Sequence, residues 1–577
     1  VKNILRTIKA KGLRTGITCT AIFFAIYMFA PAVSFGFENL TGIDKEVSRV
    51  LSDNLQTPES ASGLNLQQPE LVSKFYTRIG FKPAWTKNAK ALPVANELSK
   101  ALRRSFIEGL DPGYYNLADI EVGIRNLDEA VGNGGQLTPE RIAWIEILMS
   151  DAYFAYASDL ITGRVKPRMV VEDARIEAIR MELSGFLMRM LRVGWVQDSL
   201  ESLSPANVEY QRLKKALTVY REALGSGGWR SITTQMVRGD KGIGVLALRK
   251  RLRATGDLFE PATRIGERLF DIGLEHSVKS FQRRHGLDAD GMVGPVTLKF
   301  LNIPVRMRIR ALELNMERLR WLPREVKENY LLVNLADFTL KVVKDGRKEL
   351  DMRVIIGKDF QSTPSFSAKM TSLILNPYWN IPESIATNEI VPKLNENPSY
   401  LEEQGIEILR GWDNAEEVID PKDIDLASIA DPREGFRIRQ RPGPLNPLGQ
   451  IKFLMPNRFD IYLHDTQAEY LFEREVRTFS HGCIRVENPL KLATYAMRNS
   501  RRWTSTRLQA AIESNKLFEL NLPEPMDVMI LYQTAWADRN GHASFRKDIY
   551  GRDKVLSEQL KDTLRIPASK EPPQTGK

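Results

Sequence analysis

The segment Phe479-Ser480-His481-Gly482-Cys483-Ile484-Arg485-Val486-Glu487-Asn488-Pro489 gathers a thiol, an imidazole, a guanidinium and a glycine within seven residues. A thiol with a pKa near 8.5 is mostly protonated at neutral pH, so nucleophilic work by Cys483 requires an imidazole partner or a positive field. Two histidines qualify. His481 shares the cysteine's face if the strand is regular, and His464, in Ile461-Tyr462-Leu463-His464-Asp465-Thr466, can reach it from a neighbouring strand; the spacing is compatible with either. Gly482 lets the backbone approach a substrate, and adjacent N–H groups can receive a developing oxyanion. The planar fork of Arg485 suits a carboxylate.

Working outward, alternation through Leu331–Leu335 and Phe338–Val342, with an Asp345-Gly346 pair between apolar-rich segments, signals a hairpin and a β-rich domain. That domain is expected over residues 328–535, since Val528–Tyr532 is again a short apolar strand. Residues 382–447 interrupt the strand pattern with a Pro- and Asn-rich insertion. It carries helix-like apolar steps at Ile385, Ile390 and Leu394, and an insertion of this length in a β domain commonly carries a lid or binding surface. Upstream, residues 44–235 read as a helical scaffold. One helix runs near Glu209–Leu224, with Leu213, Leu217, Tyr220 and Leu224 on one face and a Gly225-Ser226-Gly227-Gly228 stop. Residues 236–303 form a smaller helical unit, in which Val245, Leu248 and Leu252 make one apolar face and Val278, Phe281 and His285 another. His276 and His285 lack the partners of a metal site, and His285 reads as a helix-end residue. Residues 536–577 are expected to form a C-terminal extension, disordered beyond Ile566, where Pro, Lys and Gln dominate. The fold class is therefore multidomain α+β.

The formal charge is +10, of which Lys2, Arg6, Lys9, Lys11 and Arg14 supply five. The remaining excess lacks the basic stripe of a nucleic-acid binder and suits an anionic wall or membrane surface. Residues 1–36 combine that basic start with an apolar stretch from Gly16 to Ala30 and small residues at Ala30, Ala32 and Ser34. This pattern predicts an export signal leading to the periplasm, cleaved near Ala32 or Ser34, with membrane contact only through this segment if it is retained. Most of the apolar stretch follows Cys19 instead of preceding it, which argues against a lipid anchor. Of the two cysteines, Cys483 alone remains after cleavage. No internal disulfide is then possible, and a lone exported thiol is a candidate reactive group, with a small buried hydrophobe as the alternative.

Two resemblances join these readings. Arg238-Gly239-Asp240, Val278-x-x-Phe281-Gln282-x-x-His285-Gly286-Leu287 and Asp290-Gly291-x-x-Gly294-x-x-Thr297-Leu298 resemble the peptidoglycan-binding domain of wall enzymes. His464, fifteen residues, then Ser480-His481-Gly482-Cys483-Ile484-Arg485 resembles the signature of L,D-transpeptidases with the YkuD-type β fold. The resemblance extends through Asn376-Pro377-Tyr378-Trp379-Asn380-Ile381-Pro382, Gly443-Pro444-Leu445-Asn446-Pro447-Leu448-Gly449 and Asp548-Ile549-Tyr550-Gly551-Arg552-Asp553, as in the large proteobacterial subgroup. It implies that Cys483 is the nucleophile and His464 the general base, with the backbone of His481, Gly482 and Cys483 as oxyanion hole. Arg485 and Ser480 would contact substrate, and Tyr378 and Trp379 form either a groove wall or core plugs. Strand geometry agrees with His464 as base. Residues two apart lie about 6.6 to 6.8 Å apart along a strand, whereas a neighbouring strand begins about 4.7 to 4.9 Å away.

The implied reaction releases D-alanine from a stem tetrapeptide, leaves a thioester and forms a three-to-three cross-link, with no metal or organic cofactor. The implied partners are peptidoglycan stem peptides and other cell-wall synthesis proteins. Hydrolysis of the same thioester, attachment of a lipoprotein lysine, and a wall-binding scaffold with a decayed site are the alternatives.

Overall fold

The computed structural model describes residues 40, 42–57, 61–132, 137–170, 181–258, 267–323, 329–397, 399–411, 417–420, 423–424 and 435–562. The expected export segment and the tail beyond Ile566 lie outside them. Among the described residues, no helix is long and apolar enough to cross a membrane.

The N-terminal region is helical, and its packing centre is buried almost all round. Helix α1 (Pro69–Ile79) packs on α2 (Pro139–Thr162). Thr138 caps α2 by accepting the Arg141 N–H, and Pro139 opens its first turn without wasting a donor. Eighteen of the α2 residues are buried, as expected of a helix enclosed by others instead of lying on a surface. Its buried Glu146 carboxylate is satisfied by the Ala84 and Trp85 N–H groups and the Tyr76 and Thr86 hydroxyls. The long helix read from the sequence is α3 (Val208–Gly225), with Tyr210, Leu213, Leu217 and Tyr220 buried on one face. The small unit that follows packs α4 (Ile243–Arg253) and α5 (Ile272–Arg284) around Leu248, Leu252, Val278 and Phe281. His285 caps the end of α5 with Nδ1 2.7 Å from the Phe281 carbonyl.

Helix α6 (Val305–Arg320) joins this unit to the β domain and packs along α3. Its buried Arg320 donates to Glu317, the Glu108 carbonyl and the Tyr210 hydroxyl, fixing the spine to the scaffold.

The β domain opens with β1 (Asn329–Asn334), β2 (Thr339–Lys344) and β3 (Arg347–Gly357). Asp345 (φ 51°) and Gly346 (φ 72°) form the β2–β3 turn, the two-residue left-handed geometry that matches strand twist. β4 (Phe366–Leu375) follows. The insertion adds β5 (Trp379–Asn380), β6 (Ile406–Arg410), β7 (Glu417–Ile419) and β8 (Phe436–Gln440). The chain returns through β9 (Ile451–Leu454), β10 (Leu463–His464), β11 (Thr478–Ser480), β12 (Ile484–Val486) and β13 (Phe518–Leu531). The nine-stranded order is β11-β3-β12-β10-β9-β4-β13-β1-β2, and β2 also pairs with β3, so the sheet curls back on itself.

Two differences from the sequence reading stand out. The insertion does more than interrupt strands: it has its own antiparallel sheet, β5-β8-β6-β7, and its own core around Ile385, Ile390, Leu394, Ile408 and Ile438. Its helical turns include a π-helical step at Ala386–Ile390, where Val391 N–H reaches the Ala386 carbonyl and the following Pro392 has no N–H to give. The described part of the C-terminal extension, residues 536–562, is built into the fold. The hairpin β14 (Ala535–Ala537) and β15 (Ala543–Phe545) closes a core with α3 and α6, and α7 (Arg552–Asp562) packs on α6.

Candidate active site

Strand parity builds the site. β10 pairs in parallel with β12, Leu463 opposite Ile484 and His464 opposite Arg485. β9 pairs antiparallel with β10, placing Lys452 opposite His464. Side chains alternate across a sheet. Ile451, Phe453, Leu463, Ile484 and Val486 therefore face the core, where they are buried, Lys452, His464 and Arg485 share the other face, and Tyr462 and Cys483, each one residue before its strand, meet at its edge, where Cys483 also touches the core. The candidate nucleophile, one residue before β12, and the candidate base on β10 thus lie toward one surface, offset by two register positions and so farther apart than direct cross-strand neighbours.

His464 is buried. Its Nδ1 lies 2.5 Å from the Asp465 carbonyl oxygen, so that nitrogen carries the proton and the Nε2 lone pair is left to accept one. Burial, the Arg485 guanidinium and the Lys452 ammonium push its pKa down to about 3, opposed by that carbonyl; at ordinary pH the ring is a neutral base. The Asp465 carboxylate faces elsewhere, accepting the Gln450 and Thr466 N–H groups. It packs against Gly449 (φ 61°) so closely that a Cβ there would sit 2.3 Å from an Asp465 oxygen, which accounts for the glycine closing the Gly443–Gly449 motif.

The half-buried Cys483 thiol lies 3.7 Å from the Asp460 carbonyl oxygen. Burial raises its pKa, while Tyr462 and Lys452 stabilise the thiolate. Among the described residues no hydrogen bond joins Cys483 to His464, and the resting pair is a neutral thiol and a neutral imidazole. Gly482 (φ 119°) turns the chain between β11 and β12 in a conformation that disfavours a side chain. Its carbonyl accepts from the Thr363 hydroxyl at 2.7 Å, and that hydroxyl accepts the Gly357 N–H at 3.0 Å. Arg552 donates to the Thr363 carbonyl at 2.8 Å, and Tyr550 donates to the Gly357 carbonyl at 2.6 Å. The Asp548–Asp553 motif is thereby a brace for the cysteine loop.

The other sequence candidates divide. Arg485 is half-buried, with Nη1 3.4 Å from the Thr466 hydroxyl and a buried Nε without a partner among the described residues. Ser480, read as substrate-facing, is turned inward: its hydroxyl donates to the Cys483 carbonyl and accepts the Gly482 N–H. That bond engages one of the three amides expected in the oxyanion hole, leaving the His481 and Cys483 amides for that role. The His481 ring meets Glu389 of the insertion, Nε2 to Oε1 2.7 Å. Trp379 packs against the insertion's core, and Tyr378 lies at its surface under the Arg439 guanidinium, 4.4 Å from ring centre. Lys452, Tyr462 and Thr363 were missed by sequence reasoning. Tyr462, two residues before His464, carried a parity signal; the other two depended on unseen register.

Residues 328–504 match the family model described as "L,D-transpeptidase catalytic domain", residues 70–217 match "Scaffold domain", and residues 241–301 match "Putative peptidoglycan binding domain". A curated protein of Haemophilus influenzae named "Putative L,D-transpeptidase" is 36% identical over 246 residues, 43% of this chain and 48% of that protein. The chain thus spans about half the length of the curated relative it matches. The crystal structure of the L,D-transpeptidase (residues 123–326) from Xylanimonas cellulosilytica covers 52% of this chain and 100% of its own, at 15% identity and a TM-score of 0.15, a likeness too weak to bear on the fold.

Proposed function

We propose that this chain, whose residues 328–504 form a catalytic domain of the L,D-transpeptidase family, forms three-to-three cross-links between peptidoglycan stems through a thioester on Cys483. The observation that carries the reading is that Cys483 and His464 lie toward one surface of the sheet, with the His464 Nδ1 committed to a backbone carbonyl and its Nε2 lone pair available. His464 takes the thiol proton as Sγ attacks the carbonyl of the third stem residue. The developing oxyanion is received by the His481 and Cys483 N–H groups. The C–N bond then breaks, and the proton on His464 passes to the departing D-alanine amine. An amine from a second stem attacks the thioester and expels Sγ, and its proton returns to the sulfur through His464. Arg485, with donor capacity to spare, holds a stem carboxylate. The insertion, latched to His481 through Glu389, excludes water and so favours the amine over hydrolysis. Residues 241–301 hold the enzyme on the wall, and the expected export signal delivers it to the periplasm.

The test is incubation with purified tetrapeptide muropeptides, with and without a lysine-bearing acceptor peptide, followed by mass analysis. The expected products are three-to-three dimers and free D-alanine. Tripeptides alone would make the protein an L,D-carboxypeptidase, and capture of the acceptor peptide alone would make it an attachment enzyme.

A further inference from the structure

Lys452 stands directly opposite His464 in the β9–β10 pairing. Its ammonium lies 3.9 Å from the centre of the Tyr462 ring, whose own centre is 5.6 Å from that of His464. Burial lowers the Lys452 pKa, and Cys483 and Asp460 oppose that shift. The other groups facing the pair are Tyr462 just before β10, Arg485 on β12 with Tyr470 beyond it, and the His481–Glu389 contact from the insertion, whose carboxylate is a further negative group. A fixed cation placed so acts on both partners at once, favouring charge on sulfur and opposing it on the imidazole.

We propose that Lys452 is a positioning residue for acyl transfer: in register with His464 and seated on the Tyr462 ring, it steers negative charge onto the Cys483 sulfur and keeps a second positive charge off the imidazole. The inference rests on Cys483 being the nucleophile. Its consequence is a base that does not hoard its proton. As the S–C bond forms, the thiol proton moves to Nε2. As the C–N bond breaks, it moves on to the amine nitrogen, with no other reagent required. The enzyme then rests as an uncharged pair and gains its thiolate only with substrate bound, which protects the thiol from oxidation between turnovers.

The experiment compares Lys452→Met, Lys452→Gln and Lys452→Arg in the full chain. It reads the pH midpoint of Cys483 alkylation by iodoacetamide, the NMR titration of His464 and the split between kcat and KM. The neutral variants are expected to raise the alkylation midpoint by about one pH unit, the scale of one charge a few ångströms away in a partly screened site. They should also move the His464 titration upward and lower kcat with KM little changed, whereas Lys452→Arg keeps the wild-type values. Unchanged midpoints in the neutral variants, or a Lys452→Arg shift as large as that of Lys452→Gln, overturn the proposal. The wild-type titration guards against variants that do not fold: a His464 ring protonating above pH 6 overturns the proposal by itself. Failure of the nucleophile assignment appears separately, as turnover retained by Cys483→Ala.

Discussion

Replacing Thr363 with valine keeps the side chain's shape and removes one hydroxyl from a fully buried position. Thr363 links two parts of the β domain to the C-terminal extension. Its hydroxyl donates to the Gly482 carbonyl beside Cys483 and accepts the Gly357 N–H at the end of β3, while the Thr363 carbonyl receives Arg552 from the C-terminal motif. Thr363→Val therefore orphans one buried acceptor and one buried donor, each costing about 1 to 3 kcal/mol. Partial relaxation brings the sum to about 3 kcal/mol, or roughly 6 to 12 °C in the unfolding midpoint of a domain this size. The cysteine loop is freed at the same time, and a shift of about 1 Å in a reacting group costs up to roughly 100-fold in rate. The assay is thermal unfolding together with turnover on a tetrapeptide muropeptide at a temperature where the variant remains folded. Thr363→Ser, which keeps the hydroxyl, should retain most of both properties. Wild-type stability and kcat in Thr363→Val would refute the brace.

Three further outcomes follow from the geometry. Because burial and two neighbouring cations hold the His464 pKa at about 3, the base stays neutral and active well below the ordinary histidine range; the acid limb of kcat should fall below pH 5, and a limb near pH 6.5 would contradict this. Glu389→Ala removes the carboxylate that meets His481, and should raise the ratio of tripeptide to cross-linked product several-fold; an unchanged ratio would show that the contact does not hold the insertion closed. In the scaffold, burial raises the Asp159 pKa to about 7 despite Arg164 and the Tyr115 hydroxyl. The folded state thus holds a proton that the unfolded chain releases above pH 4, so the Asp159 contribution to stability weakens as pH rises from about 4 to 7. Asp159→Asn should accordingly unfold at a higher temperature than wild type at pH 8, with the difference vanishing near pH 4.

Local chemistry was what the sequence disclosed well. The Asp345-Gly346 turn, the glycine stop of α3 and the helical steps at Ile385, Ile390 and Leu394 are decided by a few adjacent residues, and each stands where its pattern indicated. The Cys483 motif was visible for the same reason, whereas the choice of His464 over His481 came from the family resemblance. Pairing between distant segments was not. Lys452 is one of many lysines until β9 is set against β10, and Thr363 is an ordinary threonine until its loop meets Gly482. The insertion's sheet pairs Phe436–Gln440 with Ile406–Arg410 across a long separation, where a Pro- and Asn-rich composition concealed short strands. Ser480 illustrates the opposite error: a polar residue in a reactive motif invites a substrate role, yet its burial gives it the work of closing the loop on itself.

The central claim is a covalent acyl group on Cys483, and intact-protein mass spectrometry with peptide mapping tests it most directly. The full chain, mixed briefly with a tetrapeptide-stem muropeptide and quenched in acid, should gain the mass of the stem less one D-alanine, located on Cys483 and absent from a folded Cys483→Ala variant. Cross-linked product formed by Cys483→Ala, or an adduct mapped to another residue, would contradict the account.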